Sequence, residues 1–491
     1  MSTALTSAQR APVSQDQAVT LKSVRRMFEG VIPAVMCSVS AEGMPHLCFL
    51  SQVEYVDEGH VALSFQFFNR SRDNILATRR CMVSVDDPYT AAGIRMQLRY
   101  VRTESSGPVF ERMRAKLAGI AAHTGMDRVY RLLGADIYEV SSVREVAGRR
   151  PLMAPQSRCD IPGGTRAVID RISACTDMDQ LLDETLRALQ THLQIDHSMI
   201  LLSDPGRDCL YAIASLGYDT SGVGAEIPLG QGLAGISARE GVPLRIGHLA
   251  QWQTYARAIR QRTEDMGLSD CDAQEIPLPG MAEPRSQLVV PLRLLGKVIG
   301  VLLVESDQDQ YFSHDDEDAL ASIASPLSLA LSLLQPAEPP NEAPIGYEGA
   351  SPCPSRDGTQ DLQCDANGVG PQQAAAKVAG AEAAEATVVH HHARTDSVFF
   401  NDDYVIKGVA GAILWRLIRT WVDTGRQDFS NRELRLDASL GLPDVTDNLE
   451  ARLILLHRRL AERGAPVQLV KTGRGRFRLQ VDTPLLLVSQ G

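Results

Sequence analysis

The sequence predicts a multidomain α+β protein: a small N-terminal β-barrel, a central α/β sandwich, a disordered linker and a C-terminal helical module closed by a basic hairpin. Three observations predict it. At 491 residues the chain is too long for one hydrophobic core. Strand-like runs between turn signals fill the first part, whereas the middle alternates helical stripes with buried strands. From Pro336 to Asp396 the composition shifts to Pro, Ala, Gly and acids, too poor in large apolar residues to order itself. The expected boundaries are a flexible tail at 1–20, the barrel at 21–150, the sandwich at 163–335, the linker at 336–396 and the C-terminal module at 397–491.

Bulk properties exclude several classes. The net charge of −11 argues against a chain-wide nucleic-acid coat but leaves room for one basic module. No run of eighteen apolar residues exists to span a membrane. The first twenty residues lack the apolar core of a secretory signal. Nine scattered cysteines form no CxxC, which fits a reducing cytoplasm better than a disulfide or zinc framework. No Ser-His-Asp, Glu-pair or HExxH pattern occurs, so no catalytic residue and no metal site are assigned. The His390–His392 triplet reads as incidental within the linker.

In the first block, AVMCSV (34–39) and HLCFLSQV (46–53) flank the turn AEGMP. VALSFQFF (61–68) and CMVSV (81–85) bracket the polar segment NRSRDNILATRR. Phe110, Met113, Leu117 and Ile120 recur at helical spacing over 108–122, and ADIYEVSSV closes the block as a strand. GMPHLCFLSQV and FQFFNRSRDNILATRRCMVSVDDP resemble the pyridoxamine-5′-phosphate-oxidase-like, FMN-binding split barrels over most of residues 22–148. The resemblance implies an FMN cofactor. Ser71 and Arg72 would hold its phosphate at a helix start, with Asn69 and Asn74 beside them. Asp73 stands where the oxidases carry a basic residue, so oxidation of a pyridoxal-type substrate is not expected.

The middle block opens with two helical stripes, Val168 and Ile172, then Leu181, Leu182, Leu186 and Leu189, broken near Thr176-Asp177. SMILLSD (198–204) and CLYAIASLG (209–217) read as paired strands, and Leu-Gly-Lys joins two β-rich runs within 286–306. Ser-His-Asp-Asp-Glu opens a closing helix over 313–334. IPLGQGLAGISAREGVPLRI, LVVPLRLLGKVIGVLLVES and FSHDDEDALASIAS resemble a GAF domain. Such domains bind a small-molecule effector under a lid, here expected at 248–285, and often pair through their terminal helices. Cys175 and Cys209 read as core thiols.

The last block sets Ile413, Leu414, Leu417, Ile418 and Trp421 on one helical stripe. Ser430 with Glu433 three residues on makes a capping-box pattern, and Leu449, Leu453, Leu456 and Leu460 form a second seam. Phe477, Leu479 and Val481 alternate with Arg476 and Arg478 in a terminal hairpin. FSNRELRLDASL, the helix ending in HRRLAE and KTGRGRFRL resemble the winged-helix effector domain of OmpR/PhoB-type response regulators over about 402–482. Residues 397–491 carry fourteen Lys and Arg against eleven Asp and Glu, a local excess of positive charge. The resemblance implies DNA as partner, contacted by Asn448, Arg452, Arg458, Arg459, Lys471, Arg474, Arg476 and Arg478. Opposite the leucine seam, Ala451, Ile454, Leu455 and Arg458 are expected on the outer face, and an apolar outer pair there suits a protein contact instead.

Together these readings point to a cytoplasmic, homodimeric sensory transcriptional regulator with flavin or small-molecule input and DNA output. Two alternatives stay open: an FMN-dependent oxidoreductase with regulatory domains, and a protein-docking signalling scaffold.

Overall fold

The computed structural model describes residues 19–29, 33–65, 70–87, 90–124 and 132–146. It continues through 158–334 except 205, 220, 250–279 and 282, and through 386–490 except 441–448 and 474. The chain divides into two compact units: Met1–Leu334 with Pro443–Leu455, and Gln335–Leu442 with Leu456–Gly491.

The first part of unit 1 is an antiparallel sheet built from β1 (Ala34–Val39), β2 (Pro45–Leu50), β3 (Val53–Tyr55), β4 (His60–Phe65), β5 (Arg80–Asp86), β6 (Gly93–Glu104) and β7 (Gly134–Glu145). Their order is β2-β1-β5-β6-β7-β4-β3, which leaves β2 and β3 as edges. Alternate residues of β5 and β6 are buried and exposed, as one-sided packing requires. Bulges at Gln97/Leu98 and Tyr100/Arg102 add the local twist that curls the two longest strands. One core holds Met36, Leu63, Val83, Ile94, Met96 and Tyr138, capped by α1 (Leu21–Val24). The reverse of β4 and β7 is covered by α3 (Pro108–Thr124), whose Phe110, Met113 and Leu117 pack on Ala62, Ala135 and Ile137. Between β4 and β5 lies α2 (Arg70–Thr78).

The second part of unit 1 opens with α4 (Ile161–Ala174), capped by Asp160, two residues before the expected boundary. After the Thr176-Asp177 break, α5 (Met178–Leu193) is capped by the Asp177 carboxylate. The sheet order is β10-β9-β8-β13-β12-β11, with β8 (His197–Asp204), β9 (Cys209–Leu216), β10 (Glu226–Pro228), β11 (Leu244–Ile246), β12 (Ser286–Leu294) and β13 (Lys297–Ser306). Leu295 and Gly296, both at positive φ, turn the β12–β13 hairpin. One face carries α6 (Gly232–Glu240), whose Leu233, Ala234 and Ile236 meet Met199, Val289, Val301 and Leu303. At the start of α7 (His314–Leu333), Ser313 and Asp316 close a full capping box. Arg158 ties the entry to that helix by donating to the Leu193 and Tyr311 carbonyls and to the Asp316 carboxylate.

Unit 2 starts earlier than the composition suggests. Residues 387–396, expected in the linker, contain β14 (Thr387–His392), while residues 335–385 lie outside the described set. The strand-forming Thr-Val-Val run and its alternation, with Val389 and His391 buried, were masked by the Ala-rich stretch before them. β14 pairs antiparallel with β15 (Ser397–Phe400), which pairs with β16 (Asp403–Ile406), and parallel with β20 (Leu485–Gln490). On α8 (Gly408–Thr424), Ile413, Leu414, Leu417 and Ile418 are fully buried, as their stripe predicts. A Cβ at Gly411 would lie 1.9 Å from the Asp396 carbonyl oxygen, so only glycine lets this helix seat. Then come β17 (Asp428–Ser430), α9 (Asn431–Leu436), α10 (Leu449–Glu462), whose residues up to Leu455 belong to unit 1, β18 (Val467–Gly473) and β19 (Arg476–Val481). β17 joins the β18–β19 hairpin as a third strand.

Candidate functional site

The polar turn singled out in the barrel folds as the first turn of α2, yet its groups face inward. Ser71 is 1% exposed and its hydroxyl donates to Cys48 Sγ at 3.2 Å. Asn74 Nδ2 donates to Ser38 Oγ at 3.1 Å. Arg72 Nη1 donates to both carboxylate oxygens of Asp136, at 2.8 and 2.6 Å, and Nη2 to Thr103 Oγ1 at 3.1 Å. Its guanidinium also lies 3.7 Å over the Phe65 ring. Asn69 lies outside the described residues.

This ion pair lines a cavity of about 110 Å³, walled by Met36, Cys48, Phe49, Leu63, Ile75 and Tyr138. The arrangement does not fit the phosphate dianion that the resemblance implies. The Arg72 fork is neutralised by Asp136, Ser71 and Asn74 each donate inside the fold, and Asp73 adds a second carboxylate at the helix start. Asp136 is the residue that sequence reasoning missed. Its signal was an acid within the short strand run GADIY. Burial pushes the Cys81 thiol up to about 12 and moves the Tyr138 hydroxyl upward too, so neither ionises near neutral pH.

A second polar group sits on the α6 face of the central sheet. Glu305 is 3% exposed and follows Val301 and Leu303 by strand alternation, so it shares their face. It lies across the ladder from His197 and Gln287, accepting from Gln287 Nε2 and, at 3.1 Å, from the Met281 amide. The Tyr218 ring sits 5.5 Å from that of His197, and its hydroxyl is moved upward first by burial, then by the Glu305 charge. An acid ending the apolar run VIGVLLVE was its only sequence signal. Of the expected lid at 248–285, residues 250–279 lie outside the described set. Cys209 is buried, which pushes its thiol up to about 11, and burial raises that of Cys175.

The residues expected to meet DNA separate into two groups. Lys471, Arg476 and Arg478 are exposed on the β18–β19 hairpin, with Arg458 half-buried. Arg478 is held by Asp428 at 2.8 Å, and this hydrogen bond keeps the Asp428 carboxyl below its ordinary range. Arg452 and Arg459, each 4% exposed, are not on the surface at all. Arg452 lies 2.7 Å from the Asp204 carboxylate and 4.2 Å over the Tyr211 ring. Arg459 Nε donates to the Val405 carbonyl at 2.9 Å, and burial lowers its affinity for the proton. Ala451 and Leu455, expected on the outer face of α10, are buried as well, because that helix is packed around more of its girth than one leucine seam predicts. Asn448 and Arg474 lie outside the described residues. The triplet on β14 splits between its faces: His391 stacks on Trp415 at 4.6 Å and meets Asp396, whereas His392 meets Phe399.

Among the described residues, no helix is long and apolar enough to cross a membrane. No curated protein matches the chain. Among solved structures, the chain is similar to the GAF domain of an Acinetobacter phosphoenolpyruvate-protein phosphotransferase, at 22% identity over 35% of this chain and 92% of that one, with a TM-score of 0.29. It is also similar to free methionine-R-sulfoxide reductase from Neisseria meningitidis in complex with its substrate, at 21% identity over 35% and 89%, with a TM-score of 0.28. An FMN-binding protein from Syntrophomonas wolfei subsp. wolfei matches at 15% identity over 26% and 88%, with a TM-score of 0.23. The GAF family model matches residues 175–332, the span that holds α5, the six-stranded sheet, α6 and nearly all of α7. Residues 175–332 are a GAF domain.

Proposed function

We propose that this protein is a cytoplasmic sensory regulator in which the GAF domain takes a small-molecule effector on its α6 face and unit 2 carries the output to DNA. The observation that carries the reading is the GAF domain itself, with a buried acid, Glu305, on that face. The DNA output is supported by the exposed Lys471, Arg476 and Arg478 of the hairpin and by the positive balance of residues 397–491. With Arg452 and Arg459 buried, the exposed cations among the expected and described contacts are those of the hairpin, which suit phosphate-directed affinity. A ligand shifts such a system only by binding one conformation better than another.

The reading includes a homodimer, supported by the exposed Leu47 (65%) and Phe49 (77%) on edge strand β2. It requires no flavin: the barrel serves as a platform for the GAF domain. Gel-shift titration with genomic fragments across several salt concentrations tests the output. Binding that resists competitor and weakens in Arg476→Ala supports it. Absence of any such complex at every salt concentration removes DNA from the proposal. Mass spectrometry of small molecules retained by the purified chain tests the input, and sedimentation velocity tests the dimer.

A further inference from the structure

We propose that α3 couples the barrel cavity to the effector face of the GAF domain, so that a change at either is felt at the other. The proposal takes from the functional reading only the meaning of the α6 face. The coupling itself needs neither an identified effector nor DNA.

Helix α3 belongs to two cores at once. Its large residues, Phe110, Met113 and Leu117, pack on Ala135 and Ile137 of β7. Its small ones face the other way. Ala115 lies in the GAF core with Leu233 and Ala234 of α6 and Leu244 and Ile246 of β11, and Ala118 packs against that core. A Cβ on Gly119 would stand 3.2 Å from Leu233 Cδ2, so the two elements touch without slack. Arg114 pairs with Glu240 at the end of α6, and Arg25 with Asp315 at 2.5 Å holds the two domains at a second place.

The barrel end of this helix leads to the cavity. Asp136 sits between Ala135 and Ile137 on β7, and by alternation its side chain takes the opposite face, where it holds Arg72. Thus α3 presses on the back of the strand whose front carries the cavity's carboxylate. Close-packed interiors transmit displacement instead of absorbing it. A shift of α6 must therefore move α3 or open a void along the Ala115–Gly119 face. If α3 moves, β7 and Asp136 move with it. Linkage makes the effect reciprocal.

Cys48 reports on the cavity because it lines it and accepts the Ser71 hydroxyl. The test is the rate at which iodoacetamide alkylates Cys48 in the full chain, followed on its own peptide by mass spectrometry. Cys37 on β1 serves as the internal reference, since it alternates with the cavity-facing Met36. Leu233→Ala on α6 is expected to change the Cys48 rate by about five-fold, the low end of known allosteric couplings, while the Cys37 rate holds. An unchanged Cys48 rate overturns the proposal, and so does a parallel rise at both thiols, which marks general loosening. In the reverse direction, Arg72→Ala should alter amide hydrogen exchange of α6 and β11. Exchange there identical to wild type overturns the proposal even where Leu233→Ala fails to fold.

Discussion

Arg72 and Asp136 show how one pairing decides what a site can hold. Their side chains are 16% and 7% exposed, so removing the cation strands a carboxylate in a largely apolar wall. Arg72→Ala is expected to cost about 2–4 kcal/mol in urea unfolding, whereas a phosphate-binding arginine would cost ligand retention and little stability. Cys81 gives a second outcome at this scale. Its thiol rises from an ordinary 9.0 to about 12 on folding, so the folded chain holds that proton more tightly than the unfolded one. Stability from this group is complete below pH 9 and is lost as pH climbs toward 12; Cys81→Ala should flatten that decline in thermal melts. The polar turn at Ser71-Arg72 was legible because its residue types announce a helix start. Its partner was not, because Asp136 lies 64 positions away and only the β4–β7 pairing brings the two together.

At the scale of elements, periodicity read well wherever one face alone is buried. The stripe of α8 follows that rule, while the break before α5 and the β12–β13 hairpin, whose strands are buried on both faces, were legible from their cap and turn residues. It read poorly where a helix is buried on more than one stripe or a strand also pairs with one far along the chain. α10 is one example. β14 is another, since beside its local partner β15 it pairs with Leu485–Gln490, ninety-eight residues downstream in register. The Ser430–Glu433 box formed only half-way: Ser430 caps the Glu433 amide, but the Glu433 carboxylate turns to Arg426. Gly411→Ala should destabilise by about 1–3 kcal/mol or more, because its methyl group would overlap a backbone carbonyl that cannot swing aside. Ser313→Ala should cost about 1 kcal/mol by uncapping α7. Chemical denaturation reads both.

For the whole molecule, two compact units mean that one unfolding free energy does not describe the chain. Calorimetry should resolve more than one transition, with Ser313→Ala lowering one and Gly411→Ala another. A single transition shifted equally by both would show that the units melt as one. The parallel pairing of β14 with β20 carries one last consequence. Tension applied at Thr387 and at Gln490 pulls the two strands lengthwise past each other, loading every rung of their ladder together. Under such shear the rungs must fail at once, whereas tension across the antiparallel β14–β15 pair, applied at Thr387 and Phe400, would unzip them singly. In an optical trap, unit 2 should therefore resist stretching along the first axis far better than along the second.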